Sequence, residues 1–469
     1  MIEEEFVKSG MEGLDAIVRG LPKGGLIVVS GTPGTGKTAF ATSLLYYGAI
    51  RCNEPGVYAS LIEDEDRFYT YMKGLGYDFE KLRNENMFSY IALPTMLEPG
   101  IATGIGMVMN TIKSLGARRL VIDSYTGMSQ MFKDEGEART FLHTIISKMV
   151  KQLGCTTILI KEEKVTGEKL MYDYVDFIAD GVINLEMDMT EDKRIRKLTI
   201  VKMRGSELRN PKICFSLHGG FTILPPTKMP EKPPTKKIKY PADPAGYYTT
   251  GIPDLDREIG GLPDKTTVLF EIDPKLTPRE YNIVLMPLAA SFILKERPCL
   301  VLPTGGVTWS ILREIGKIYG LSEEHYKTYV HLITESPTGE EETNVIRMVY
   351  DEQAYPRLVK LGSSLSRKLK KPLLAAFGID RLVSHLGEKT INIIYSMLDE
   401  ARTRPGITLW LVKPTWPWIA TSLAPLADMH FKITRKHGTL LLYGMKPRTP
   451  LYGIQVPEDS PIPKVIPIT

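Results

Sequence analysis

The sequence predicts two tandem α/β domains, each with a mostly parallel sheet flanked by helices. Three observations predict it: an opening motif that occurs twice, apolar runs at matched places after each copy, and a proline-rich segment just before the second copy. Residues 10–22 read GMEGLDAIVRGLP and residues 251–263 read GIPDLDREIGGLP, so Gly, Leu-Asp and Gly-Leu-Pro recur at a constant offset of 241. LIVVS at 26–30 then aligns with TVLFE at 267–271, both short apolar runs of the kind that form buried strands. RRLVIDSY at 118–125 has a looser echo in AAFGIDRL at 375–382.

Between the copies lies PPTKMPEKPPTKKIKYPADPA, residues 225–245. Its seven prolines forbid a helix, and it offers no apolar face. Its five lysines, Lys228, Lys232, Lys236, Lys237 and Lys239, suit a solvated, semi-rigid spacer. The predicted domains are therefore 1–224 and 246–469, with 225–245 as the linker.

Composition excludes several classes. With 43% hydrophobic and 24% charged residues, the 469-residue chain is ordinary for a globular protein of two to four domains. No apolar run approaches the ~18 residues that cross a bilayer. The acidic start, MIEEEFVKSG, does not read as a signal peptide. Cys52, Cys155, Cys214 and Cys299 are scattered, without a CxxC pair, so neither a disulfide framework nor a zinc site is expected. These features lead to an expected cytoplasmic location without membrane contact. A net charge of +4 is too mild to argue for nucleic-acid binding.

The first copy carries a phosphate-binding loop. After LIVVS comes Gly31-Thr32-Pro33-Gly34-Thr35-Gly36-Lys37-Thr38, a full GxxxxGK[ST] match between a predicted strand and a predicted helix. Its glycines let successive backbone N–H groups turn inward onto phosphate oxygens, and the helix N-terminus adds partial positive charge. Lys37 is expected to reach the β- and γ-phosphates of ATP, and the Thr38 hydroxyl to bind Mg2+. In the second copy the same stretch is Ile272-Asp273-Pro274-Lys275-Leu276-Thr277-Pro278-Arg279. It has no glycine, and Pro278 stands where Lys37 stood without an N–H to donate. This half is expected not to bind nucleotide in the ordinary way.

The apolar run Arg118–Ile122 ends in Asp123, 85 residues after Thr38, the Walker B pattern of a magnesium-holding carboxylate. Hydrolysis also needs a group to orient or deprotonate water. The run Gly56–Ile62 ends at Glu63-Asp64-Glu65-Asp66, beside the loop if the sheet is parallel. Glu63 is the first choice for that base and Asp64 the second. Lys202 and Arg204, in TIVKMRG, alternate onto one face of a predicted strand and suit neutralisation of γ-phosphate charge.

Taken in order, SGMEGLDAIVRGLPKGG, GTPGTGKT, GVYASLIED, LGCTTILI at 153–160 and VKMRGSELRN at 201–210 resemble the KaiC family of RecA-like ATPases. The likeness covers residues 6–224 and extends more faintly over 246–456, where Lys446-Pro447-Arg448 stands in the place of Lys-Met-Arg. The resemblance implies two RecA-like domains, ATP and Mg2+ as cofactors, and a homo-oligomeric ring, usually of six. It further implies that Lys202 and Arg204 reach the ATP of a neighbouring subunit. The family's paired glutamates are here Ile62 and Glu63, which touches the hydrolysis rate. The missing second loop argues against the self-phosphorylation of clock-type members.

The expected function is a regulatory or signalling ATPase with one working site. Its second domain would be a pseudo-ATPase kept for assembly, regulation or a protein partner. The alternative is a RecA/RadA paralogue acting on DNA in recombination or repair. It is disfavoured because the loop at residue 31 leaves no room for a preceding DNA-binding domain.

Overall fold

The computed structural model describes residues 5–61, 63–93, 99–129, 136, 139–140, 142–143, 152–163, 173–231, 233, 238–335, 344–413 and 417–469. Ile62 and the linker residues Lys232, Lys236 and Lys237 lie outside the described residues. The chain forms two compact units: one runs to Pro226 and takes in Pro467–Thr469, the other spans Thr227–Ile466.

The first unit is built on one sheet. Its strands are β1 (Leu26–Gly31), β2 (Gly56–Ser60), β3 (Phe88–Ala92), β4 (Arg119–Asp123), β5 (Thr156–Glu162), β6 (Gly181–Thr190), β7 (Lys193–Met203), β8 (Lys212–Ser216) and β9 (Thr222–Leu224). Their order is β9-β8-β7-β6-β1-β5-β4-β2-β3. Pairing from β6 through to β3 is parallel, and β6 through to β9 is antiparallel. All six residues of β1 are buried. Ile27 and Val29 join the core that holds Phe40 and Leu44 of the helix Lys37–Cys52, whereas Leu26 and Val28 join the one that holds Val108 and Ile112 of Pro99–Leu115. A strand with a period of two, apolar on both sides, thus calls for a helical layer on each face.

The second unit repeats this plan. Its strands are β10 (Thr266–Ile272), β11 (Cys299–Leu302), β12 (Val330–Thr334), β13 (Val345–Arg347), β14 (Leu373–Gly378), β15 (Gly406–Val412), β16 (Met429–Lys436), β17 (Thr439–Lys446), β18 (Tyr452–Gln455) and β19 (Lys464–Pro467). They run β13-β12-β11-β14-β15-β10-β16-β17-β18-β19, the first unit's order with β13 added at one edge. Both units are RecA-like α/β domains.

The repeated residues have structural work in common. Asp15 Oδ1 accepts from Ser9 N at 2.8 Å, and Asp256 Oδ1 accepts from Thr250 N at 2.7 Å, so the Asp of each Leu-Asp pair pins the turn before it. Gly10 (φ 81°) and Gly251 (φ 77°) sit in the left-handed region. A Cβ on either would stand 2.8 Å from Tyr47 O or 2.3 Å from Pro287 O, which leaves only glycine unstrained.

Register matches the two sheets residue by residue. From Ile27 the pairing passes to Ile158, Val121, Tyr58 and Tyr90. From its counterpart Val268 the same steps lead to Leu409, Ala376, Val301 and Leu332. Continuing along β4 and β14 sets Gly378 against Asp123. The echo between 118–125 and 375–382 therefore falls on equivalent strands but two residues out of register. Asp380 lies beyond the strand, in the helix Ile379–Leu386.

The 225–245 segment differs from the solvated spacer its composition predicts. Thr227 Oγ1 donates to Ile454 O at 2.9 Å, Tyr240 OH donates to Tyr319 O at 3.0 Å, and Asp243 pairs with Lys295 and Arg297. A tyrosine ring and one carboxylate are enough to seat its described part on the second unit. Among the described residues no helix is long and apolar enough to cross a membrane.

Candidate nucleotide site

The loop 31–38 joins the end of β1 to the helix Lys37–Cys52. Gly31, Gly34 and Gly36 have φ of 152°, 79° and 101°. A Cβ on Gly31 would lie 2.4 Å from Leu185 O, so the loop can pass there only as glycine. Gly36 is the helix N-cap and gives no side-chain cap, which leaves the first-turn N–H groups available to an anion. Lys37 Nζ donates to Gly31 O and Thr32 O, both at 3.0 Å, inside the curl. Burial lowers its pKa, against the pull of Glu162, Asp123 and Glu163. Thr35 Oγ1 closes the loop on Thr32 O at 2.8 Å.

Asp123 ends β4 beside this loop. Its Oδ2 accepts from Thr38 Oγ1 at 3.0 Å and from Tyr58 OH at 2.6 Å. Burial raises its pKa, while Tyr58, Thr38 and Lys37 hold it down. A cavity of about 410 Å³ is lined by Pro33, Gly34, Gly36, Lys37, Thr38 and Asp123, together with Glu162 at the end of β5. Backbone donors, one mobile cation, and a hydroxyl next to a carboxylate converge on it. This donor set suits a polyphosphate with a hard divalent cation. Tyr58 and Glu162 were not singled out from the sequence, because a tyrosine inside a strand and a glutamate at its end are common there.

Glu63 follows β2. Its N–H donates to Ser60 Oγ at 3.1 Å and its carbonyl accepts from Tyr90 OH. Burial raises the pKa of its carboxyl first, and the Asp123 and Asp64 carboxylates add to this, while Arg67 opposes. Asp64 is committed elsewhere: it is the N-cap of the helix Glu65–Gly74, accepting from Arg67 N at 2.9 Å.

Lys202 is the next-to-last residue of β7, and Arg204 lies in the turn just after it, so strand alternation does not set both as expected. Lys202 Nζ donates to Phe177 O at 3.0 Å, and Arg204 Nη1 pairs with Asp180 Oδ1 at 2.8 Å. Met203 pairs with Gly181, and Gly181 with Ile27, whereas Gly31 pairs with Leu185. The two cations are therefore level with the start of β1. At ~3.3 Å per residue that is roughly 13–17 Å from the loop at its other end. Lys446 occupies the matching place in the second unit, opposite His430 as Lys202 is opposite Val182.

The corresponding loop of the second unit is closed by its own side chains. Thr277 caps the helix Pro278–Leu294 in a capping box with Glu280, whose Oε2 accepts from Thr277 N and Oγ1 at 2.8 Å. Arg435 pairs with the same carboxylate, and Asp273 Oδ1 takes Lys275 N at 3.0 Å. The Glu280 carboxylate thus sits at a helix N-terminus whose counterpart at Gly36 has no side-chain cap.

A family model described as ATPase: KaiC matches residues 7–228. The first domain of the chain belongs to the KaiC-like family of RecA-type P-loop ATPases. The circadian clock oscillator protein KaiC of Synechococcus elongatus is 29% identical over 265 residues, 54% of this chain and 49% of that one. The UPF0273 protein of Methanocaldococcus jannaschii is 29% identical over 241 residues, 48% of this chain and 97% of that one. A crystal structure of a KaiC-like protein from Pyrococcus horikoshii OT3 is 31% identical, covering 47% of this chain and 99% of that chain, with a TM-score of 0.42. The chain spans about half the length of the clock-type KaiC relatives it matches.

Proposed function

We propose that this KaiC-like chain is a Mg2+-dependent ATPase of regulatory or signalling type, with one nucleotide site per chain, at a subunit interface. The observation that carries the single site is the contrast between the two helix N-termini. Gly36 leaves the first free of side-chain caps, and Thr277 with Glu280 caps the second. The loop N–H groups of residues 31–38 and Lys37 hold the phosphates, and Thr38 and Asp123 hold the cation. Mg2+, when bound, offsets the charge that develops between the β- and γ-phosphates. Glu63 orients and deprotonates the attacking water, its raised pKa bringing its basicity closer to that of the proton it takes.

Lys202 and Arg204 act on a neighbour's nucleotide, because within their own chain the sheet separates them from the loop. That makes the working form a homo-oligomer, with a six-membered ring favoured. The second domain serves as a pseudo-ATPase for assembly, regulation or a protein partner. Phosphate release tests the ATPase reading: the intact chain hydrolyses ATP with Mg2+, and Lys37→Ala neither binds nor hydrolyses it. Normal ATP affinity in Lys37→Ala defeats the assignment.

A further inference from the structure

The register that equates the two sheets also shows what the second unit has lost besides its phosphate loop. In the first unit, Tyr58 on β2 is fully buried and packs 4.6 Å from Phe68 and 5.8 Å from Tyr90, centroid to centroid. Those rings, with Phe79 and Phe88, fill the space between the sheet and its covering helices. In the second unit the residues equivalent to Tyr58, Tyr90 and Val121 are Val301, Leu332 and Ala376. Each is smaller than its counterpart. A cavity of about 80 Å³ lies there, walled by Val301, Ala376 and the helix Pro278–Leu294. Val301 and Ala376 keep accessible surface although β11 and β14 are interior strands of the sheet.

The cavity is mostly apolar, and of the polar side chains on its lining Asn282 Nδ2 and Tyr326 OH already donate to Pro278 O and Leu312 O, both at 2.8 Å, which leaves Tyr281, Thr304 and Trp309 with protons to give. Tyr281 OH and Thr304 Oγ1 share one hydrogen bond at 3.0 Å, which uses one of their two hydroxyl protons. Trp309 Nε1 is buried with no hydrogen-bond partner among the described residues, and an indole N–H can only donate. All three side chains line the cavity, and no charged side chain does.

We propose that this cavity is a binding site for a small neutral molecule with an apolar body and one carbonyl-type oxygen. The oxygen would accept the proton that the Tyr281–Thr304 pair leaves over or the Trp309 N–H, and the body would fill the space beside Val301 and Ala376, whose counterparts Tyr58 and Val121 are larger. Size limits the ligand. A dry cavity of about 150 Å³ holds benzene, so 80 Å³ holds about three to five non-hydrogen atoms. A charged ligand is excluded, because nothing lining the cavity would pair with it. The site lies along the helix that takes the place of the phosphate-loop helix. The half that gave up its phosphate loop thus gains a different binding chemistry.

The test uses the full chain labelled with 15N at the indoles of its four tryptophans, titrated with 2-butanone and, separately, with xenon. Trp309→Phe assigns the Trp309 signal. The expected result is a saturable shift of the Trp309 signal with 2-butanone, its midpoint on the order of millimolar for so small a ligand. Ala376→Val restores the first unit's residue, and Val301→Leu fills the cavity from the neighbouring strand. Either one, if folded as judged by unchanged indole signals of the other three tryptophans, should weaken the 2-butanone midpoint by tenfold or more. A response that stays linear, or a midpoint that both filled variants leave unchanged, overturns the site. Saturation by xenon without saturation by 2-butanone overturns the acceptor and leaves only a void.

Discussion

Tyr58→Phe isolates one bond in the nucleotide site. Tyr58 OH donates to Asp123 Oδ2 at 2.6 Å, and Asp123 is the carboxylate assigned to magnesium. The substitution keeps the ring between Phe68 and Tyr90, so the fold should survive. It removes a hydrogen bond to a charged acceptor, worth roughly 1.5–3 kcal/mol. At 1.4 kcal/mol per decade this corresponds to ~10–100-fold, the usual loss of metal affinity when a ligand's supporting partner is removed. Burial already raises the pKa of Asp123, and Tyr58 is the first of the groups opposing that rise. Without it the carboxyl binds its proton more tightly, so protons compete better with Mg2+ and the defect should widen as pH falls. The assay is a Mg2+ titration of ATP binding by the full chain at two pH values. An unchanged Mg2+ midpoint, with the variant folded, refutes the role given to Asp123 and its tyrosine.

Glu63→Gln should keep ATP binding and slow hydrolysis on the order of 10²-fold or more. Because burial and two neighbouring carboxylates raise the Glu63 pKa, the intact chain's activity should fall on acidification at a higher pH than for an unshifted glutamate. Asp64→Asn should leave hydrolysis nearly intact, since asparagine can still cap the helix; if it, rather than Glu63→Gln, stops turnover, the two roles are exchanged. Calorimetric titration with Mg2+ and a non-hydrolysable ATP analogue should give one nucleotide per chain, and two per chain would contradict the sealed helix N-terminus at Thr277.

The phosphate loop was legible because its motif glycines answer to backbone chemistry that no other residue type supplies. Gly31 has no room for a Cβ, and Gly36 must leave the helix end uncapped. The doubled α/β plan was legible for a similar reason, since the recurring Gly and Asp hold the same turn twice. The sequence ranks Glu63 above Asp64, but what sets Asp64 aside, its place as the N-cap of a helix, shows only in the structure. The place of Lys202 and Arg204 needed strand register, which a sequence pattern alone does not fix. Asp380 shows the same limit: a matching Ile-Asp pair sits two residues away from the position of Asp123, the carboxylate proposed to hold Mg2+. Tyr58 looked like ordinary strand filling, and its hydroxyl gains meaning only next to Asp123. The seating of Tyr240 was hidden by the prolines and lysines around it.

Sharing of the ATP site between subunits is tested most directly by mixing two inactive chains. Lys37→Ala lacks bound ATP, and Arg204→Ala lacks the cation that would reach a neighbour's γ-phosphate. Cations of that kind supplied from another chain are worth roughly 10³–10⁵ in rate. In a mixed oligomer, some interfaces join the intact loop of an Arg204→Ala chain to the intact Arg204 of a Lys37→Ala chain. Phosphate release should then rise well above that of either variant alone and track the fraction of mixed interfaces. No recovery, with mixing of subunits demonstrated, would contradict a shared site, as would full activity in a strictly monomeric preparation of the intact chain.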